Sequence, residues 1–96
     1  MKLSKDEIKA RLKDMKGWQL DGGELEKDYK FKDFKESMLF VNAVARAAEA
    51  MNHHPEIDIK YNHVEIALTT HSEGGVTEKD FALAAQIDNV AAGHAG

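Results

Sequence analysis

The side chains best suited to chemistry in this chain are its histidines: His53, His54, His63, His71 and His94. Imidazole titrates near neutrality, so it can both accept and donate a proton under physiological conditions. The sequence has no cysteine. That excludes a thiol nucleophile, a Cys-ligated zinc, an iron–sulfur cluster and a disulfide scaffold. There is no P-loop, no GxGxxG after a strand, no HExxH and no serine elbow. His63 falls in a hairpin loop and His94 in the C-terminal tail, and each is most simply a surface residue. His53, His54 and His71 differ, because the elements around them should bring them together.

Those elements follow from caps, glycines and periodicity. A first helix starts at Ser4, where Ser4-x-x-Glu7 forms a capping box with Leu3 and Ile8 at staple positions. Ile8, Leu12 and Met15 continue it and Gly17 ends it. Trp18 and Leu20 alternate into a short strand, Asp21-Gly22-Gly23 turns, and residues 24–31 form a second strand with Leu25, Tyr29 and Phe31 on one face. A second helix starts at Asp33 and must end before Pro55, the only proline. It carries two apolar stripes: Phe34, Met38, Val41, Ala45, Ala48, and Phe40, Val44, Ala47, Met51. So wide an arc implies burial against the sheet and against another helix or subunit.

Ile57, Ile59 and Tyr61, then Val64, Ile66 and Leu68, alternate with polar residues as two further strands. A turn at Asn62-His63 would pair 61 with 64, 59 with 66 and 57 with 68, apolar opposite apolar each time. A third helix opens at Thr77 with Asp80 three residues on, and carries Leu83, Ile87 and Val90. The tail from Ala91 to Gly96 is expected to fray. The order is α-β-β-α-β-β-α, an α+β domain over residues 1–96 with an antiparallel sheet covered by helices on one face.

If the second hairpin ladder continues, His54 faces His71 across it, with Cβ atoms on the order of 5 Å apart. His53 stands one residue away, at the end of helix two. Clustered imidazoles repel when protonated, which splits their pKa values and suits proton transfer. Two other readings stay open on spacing alone. One is a helix-to-strand junction whose histidines satisfy backbone carbonyls; the other is a three-histidine metal site, which the opposite facing of adjacent His53 and His54 disfavours.

Composition narrows the partners. The 96 residues are 43% hydrophobic and 31% charged, values that suit a folded globular chain rather than a disordered one. No apolar stretch approaches the roughly 20 residues needed to span a bilayer, and the first residues lack a signal-peptide core. A cytoplasmic, non-membrane protein is expected. Residues 1–36 carry ten Lys/Arg against nine Asp/Glu, and residues 37–96 three against eight. No basic patch of the kind that neutralises phosphates results, so direct nucleic-acid binding is not expected.

Glu49-Ala50-Met51-Asn52-His53-His54-Pro55, followed by Tyr61, His71 and Asp80, resembles the signature of the pterin-4a-carbinolamine dehydratases. Gly17-Trp18, Phe31-Lys32-Asp33-Phe34, Tyr61-Asn62, Leu68-Thr69-Thr70-His71 and Thr77-Glu78-Lys79-Asp80 extend the resemblance over nearly the whole chain. The resemblance implies a four-stranded antiparallel sheet with three helices on one side, assembled as a homo-oligomer, dimer or tetramer. It implies dehydration of a 4a-hydroxytetrahydropterin to quinonoid dihydropterin, in the cycle that serves aromatic amino acid hydroxylases, with no metal and no cofactor. It makes His53, His54 and His71 the catalytic histidines, with Glu49 orienting an imidazole from one helical turn before His53. It places Pro55 and the run Thr70, His71, Ser72 and Glu73 along the pterin, and leaves Asp80 with a capping role. It also admits an alternative: an interaction module, or dimerisation cofactor, that uses an apolar helix face.

Overall fold

Helix α1 (Lys5–Leu12) begins where Ser4 and Glu7 bond each other's backbone: the Glu7 N–H donates to Ser4 Oγ at 3.1 Å and the Ser4 N–H to Glu7 Oε1 at 2.8 Å. The two Ser4 contacts hold the Glu7 carboxyl below its ordinary value. The helix stops at Leu12, so Met15 lies in the following turns rather than on a helical face. Strands β1 (Gln19–Asp21) and β2 (Glu24–Lys30) form the first hairpin. Helix α2 (Phe34–Met51) starts as expected at Asp33, whose Oδ1 accepts the Glu36 N–H at 2.9 Å. Strands β3 (Glu56–Lys60) and β4 (His63–Leu68) form the second hairpin, a 3₁₀ turn covers His71–Glu73, and helix α3 runs from Glu78 to His94. The computed structural model describes residues 1–94. Ala91 to His94 extend α3 instead of fraying, and the rest of the expected tail lies outside the described residues.

The four strands form one antiparallel sheet in the order β1-β2-β4-β3 with the three helices against one face. Leu25, Tyr29, Val64, Ile66 and Leu68 point from the sheet into a core with Phe40, Val44 and Ala48 of α2 and Phe81, Leu83, Ala84 and Ile87 of α3. Ile8 and Trp18 close its edge. The Phe40 ring lies 4.8 Å from both Tyr29 and Phe31, centroid to centroid. Of the two expected stripes on α2, the second buries Phe40 and Val44 fully, while the first buries Ala48 but leaves Phe34 49% exposed; Leu39, on neither stripe, is 43% exposed.

The second hairpin turns one residue earlier than the spacing predicts. Ile59 pairs with Val64 and Ile57 with Ile66, and the two-residue turn is Tyr61-Asn62. His63 is therefore the first residue of β4, opposite Lys60 and Lys30, not a loop residue. Neighbouring β2 settles the choice: the Phe31 N–H donates to Asn62 O at 2.7 Å, and His63 Nδ1 meets Asp28 at 3.0 Å. Tyr61 takes φ +50 in the turn and is 64% exposed. The slip amounts to two residues in register, so each side chain keeps its face and apolar still opposes apolar.

One polar anchor runs beneath the core edge. Asp88 on α3 receives Trp18 Nε1–H at 3.0 Å, Lys27 Nζ at 2.7 Å and the Tyr29 hydroxyl at 2.5 Å. Lys27 reaches it past Gly17, whose φ is +88 and where a Cβ would stand 2.9 Å from Lys27 Cε. Among the described residues, no helix is long and apolar enough to cross a membrane.

Burial first, then the Asp88 hydrogen bond and charge, push the Tyr29 phenol far above its ordinary value near 10. The sign follows from linkage: the unfolded chain gives up this proton at lower pH than the folded one, so stability is complete below about pH 10 and falls as pH rises beyond it. A spectrophotometric titration should therefore show Tyr29 ionising only together with unfolding. Both tyrosines ionising in one step before the loss of circular dichroism would contradict the anchor.

Candidate active site

The site begins with the way α2 ends. Asn52 adopts the left-handed conformation, φ 49, which asparagine tolerates better than most residues. Its N–H donates to Glu49 O at 3.1 Å, and the next N–H, of His53, donates to Ala48 O at 3.1 Å. This pair of bonds is a Schellman motif, and it fixes the backbone of His53 just beyond the helix. The His53 side chain, 11% exposed, then points to α3, where its Nε2 lies 2.5 Å from Asp80 Oδ1.

Asp80 is fully buried. Its Oδ2 accepts the Thr77 N–H and the Thr70 hydroxyl, each at 2.8 Å. Thr77 caps α3 as expected, its Oγ1 accepting the Lys79 N–H at 3.2 Å. The cap accounts for only one carboxylate oxygen; the other is used on His53. A buried carboxylate accepts and does not donate, so the shared proton belongs to His53 Nε2. In the neutral ring Nδ1 then carries the lone pair, which makes it the basic nitrogen. Among the described residues, no buried side-chain nitrogen or oxygen lacks a hydrogen-bond partner.

Glu49 does orient an imidazole, but that of His54, with Oε2 and Nε2 2.5 Å apart. The expected approach to His53 along one helical face fails because the helix stops at Met51. Glu49 and His54 are 75% and 58% exposed, so their pairing sets direction more than stability, worth at most about 1 kcal/mol for exposed ions.

His54 and His71 are not cross-strand partners. With the observed register, position 54 would face 69, and β3 begins only at Glu56, after Pro55, which has no N–H to donate. His71 instead opens the 3₁₀ turn with its side chain exposed. Thr70 and Gly75 close this loop with N–H···O bonds of 3.0 and 3.3 Å. Through Thr70 the loop joins the Asp80 network, so His71 follows directly on a residue that holds the partner of His53. Pro55 is half-buried beside His54, while Thr70, Ser72 and Glu73 share a recess of about 250 Å³ with Thr77, Glu78 and Lys79. Thr70 contributes its hydroxyl to Asp80 and is itself buried.

A larger concavity, about 450 Å³, lies on the open face of the sheet among Glu24, Glu26, Asp28, Glu56, Asp58 and Glu65. It contains none of the sequence-predicted site residues. Crowding there shows at Glu26, whose carboxyl is raised first by burial and then by Asp21, Glu24 and Glu65. Lys27 is the one base that lines it, and its Nζ is already engaged by Asp88 and Lys16 O, so the histidine junction is the better site for proton chemistry. Among the described residues, no three His, Asp or Glu side chains come together as a metal-ligand set.

Comparison with known proteins agrees with the resemblance. The sequence matches the family described as pterin 4 alpha carbinolamine dehydratase over residues 1–90. Two relatives whose names give them, provisionally, as pterin-4-alpha-carbinolamine dehydratases come from Sulfolobus acidocaldarius and Solibacter usitatus. The first is 49% identical over 94% of this chain and 99% of its own. The second is 49% identical over 96% and 97%. A crystal structure of a transcriptional coactivator/pterin dehydratase from Brucella melitensis superimposes with a TM-score of 0.90 at 39% identity, covering 95% of this chain and 99% of that one. A pterin dehydratase-like protein identified as a RuBisCO assembly factor in the alpha-carboxysome gives 0.69 at 28% identity, covering 80% and 92%.

Asp80→Asn tests the junction. An amide supplies a donor where the carboxylate accepts from three, so at least one buried donor loses its partner. The expected loss is about 1–3 kcal/mol in denaturant unfolding. A change within a few tenths of a kcal/mol would mean that Asp80 does not hold the site together.

Proposed function

The chain belongs to the pterin-4-alpha-carbinolamine dehydratase family, and from the geometry of its histidine junction we propose that it dehydrates a 4a-hydroxytetrahydropterin to quinonoid dihydropterin and water. The observation that carries the reading is the buried pairing of His53 with Asp80, 2.5 Å apart. In the reaction the C4a–oxygen bond breaks with its electron pair on oxygen, and a proton from an acid completes the water. A ring nitrogen loses its proton to a base, and those electrons form the new C=N bond at C4a. Oxidation level does not change, so the step asks only for an acid and a base.

His53 supplies the base. Asp80 occupies Nε2–H, and the imidazolium formed when Nδ1 takes a proton is stabilised by the same carboxylate. His71, exposed on the adjoining loop, gives its proton to the departing oxygen. His54, turned by Glu49, serves as a second proton carrier or holds the ring. Pro55, Thr70, Ser72 and Glu73 edge the pterin. The pathway follows with the reaction: return of the pterin left by an aromatic amino acid hydroxylase, in the cytoplasm, by a homo-oligomeric enzyme with no cofactor.

A second reading has its own support. Phe34 and Leu39 expose apolar surface on α2, and one similar structure is described as both coactivator and pterin dehydratase. The α2 face would then bind a second copy of the chain or a foreign protein. A pull-down that recovers only the chain itself counts against the foreign partner.

The test is the rate of 4a-hydroxytetrahydropterin dehydration in chelator, with wild type beside His53→Ala and His71→Ala. Wild type should accelerate the reaction, and each variant should lose about 10²-fold or more. A folded wild type without acceleration, or two alanine variants that keep full rate, would overturn the proposal.

A further inference from the structure

Thr70 and Thr77 are both buried, and their hydroxyls are spent on each other and on Asp80. Their oxygens are 2.8 Å apart, and Thr70 Oγ1 is 2.8 Å from Asp80 Oδ2. The directions of these bonds can be worked out. A hydroxyl has one proton, and the carboxylate can only accept. The Thr70 proton is therefore spent on Asp80. The bond between the two threonines must then be donated by Thr77. With its proton committed, Thr77 Oγ1 accepts the Lys79 N–H at 3.2 Å. These three hydrogen bonds run one way, from the Lys79 N–H in the first turn of α3 through Thr77 and Thr70 to Oδ2 of Asp80.

The consequence falls on the other oxygen. Oδ2 is held by the Thr70 hydroxyl and the Thr77 N–H, each at 2.8 Å, which leaves Oδ1 turned to His53. Thr70 also closes the loop that carries His71, by its paired backbone bonds to Gly75. One residue thus governs the partner of His53 and the loop of His71.

We propose that Thr70, backed by Thr77, is a positioning residue: its hydroxyl locks the Asp80 carboxylate so that neutral His53 carries its proton on Nε2 and presents Nδ1 to substrate, in register with His71. This rests on the dehydratase reading for its consequence in turnover, but not for its consequence in the ring of His53.

Thr70→Val removes the hydroxyl and keeps the shape; Thr70→Ser restores the hydroxyl. Two readouts are needed. The first is the ¹⁵N side-chain spectrum of His53 in its neutral form, which reports the protonated nitrogen without any turnover. The second is the split between kcat and KM for 4a-hydroxytetrahydropterin dehydration. In wild type the Nε2–H form should be the single one present. Thr70→Val should show a mixture of the two forms and lose about tenfold in kcat with KM within about twofold, as expected when a reacting group is misplaced rather than removed. Thr70→Ser should restore both. Thr77→Val, one link further out, should shift both readouts the same way by less, and takes the place of Thr70→Val if that variant does not fold. Wild-type tautomer and kcat in a folded valine variant would overturn the proposal, as would an Nδ1–H ring in wild type. No turnover in wild type, with the tautomer results as expected, would overturn the dehydratase reading alone.

Discussion

A carboxylate cannot be buried without donors, and in this fold the fully buried Asp80 gathers three of them from three different stretches of chain. The Thr77 N–H comes from the cap of α3, the Thr70 hydroxyl from the loop just after β4, and the His53 ring Nε2–H from the end of α2. Breaking any one leaves a group whose desolvation is no longer offset, at a cost of about 1–3 kcal/mol. The same need that ties these segments together also dictates the tautomer of His53. Structure and proposed chemistry rest here on one electrostatic requirement, with the helix caps and the Schellman turn delivering each donor to its place.

The two faces of the sheet divide the remaining work. The covered face holds the aromatic and aliphatic core and the Asp88 anchor, where Trp18, Lys27 and Tyr29 fasten α3 to the first hairpin. The open face is crowded with carboxylates; Asp28, Glu65 and Asp58 lie directly opposite one another across three strands. Lys60 relieves part of that repulsion by pairing with Glu65, and His63 by pairing with Asp28. The junction of His53 and Asp80 lies at the ends of α2 and α3, away from both the apolar interior and this acidic surface.

Much of this was legible in the residues. Ser4-x-x-Glu7, Asp33 and Thr77-x-x-Asp80 mark three helix starts by local chemistry alone, and the structure places a cap at each. Strand alternation likewise gave the right faces. The hairpin register was not legible, because two registers two residues apart satisfy the same alternation. The choice fell to contacts from Asp28 of β2 and from Phe31 just after it, which no local pattern encodes. The second use of Asp80 was hidden for a similar reason: a cap explains one oxygen, and only burial reveals that the other must be satisfied too. Asn52 offered a usable signal, since asparagine before a proline-bearing segment is a common left-handed stop. Reading it would have shown that Glu49 cannot share a helical face with His53. The Asp88 anchor joins residues far apart in sequence and left no trace in spacing.

The central claim is that proton chemistry belongs to the His53–Asp80 junction and not to the larger concavity on the open face of the sheet. The most direct measurement is a titration of the ¹⁵N-labelled protein with a non-reacting dihydropterin, followed on the histidine side chains. His63 serves as the reporter for the sheet face and His53, His54 and His71 for the junction. The account predicts that the signals of His53, His54 and His71 move together on binding while His63 stays where it is. Movement of His63 with the other three unchanged would place the pterin on the acidic face and contradict the account.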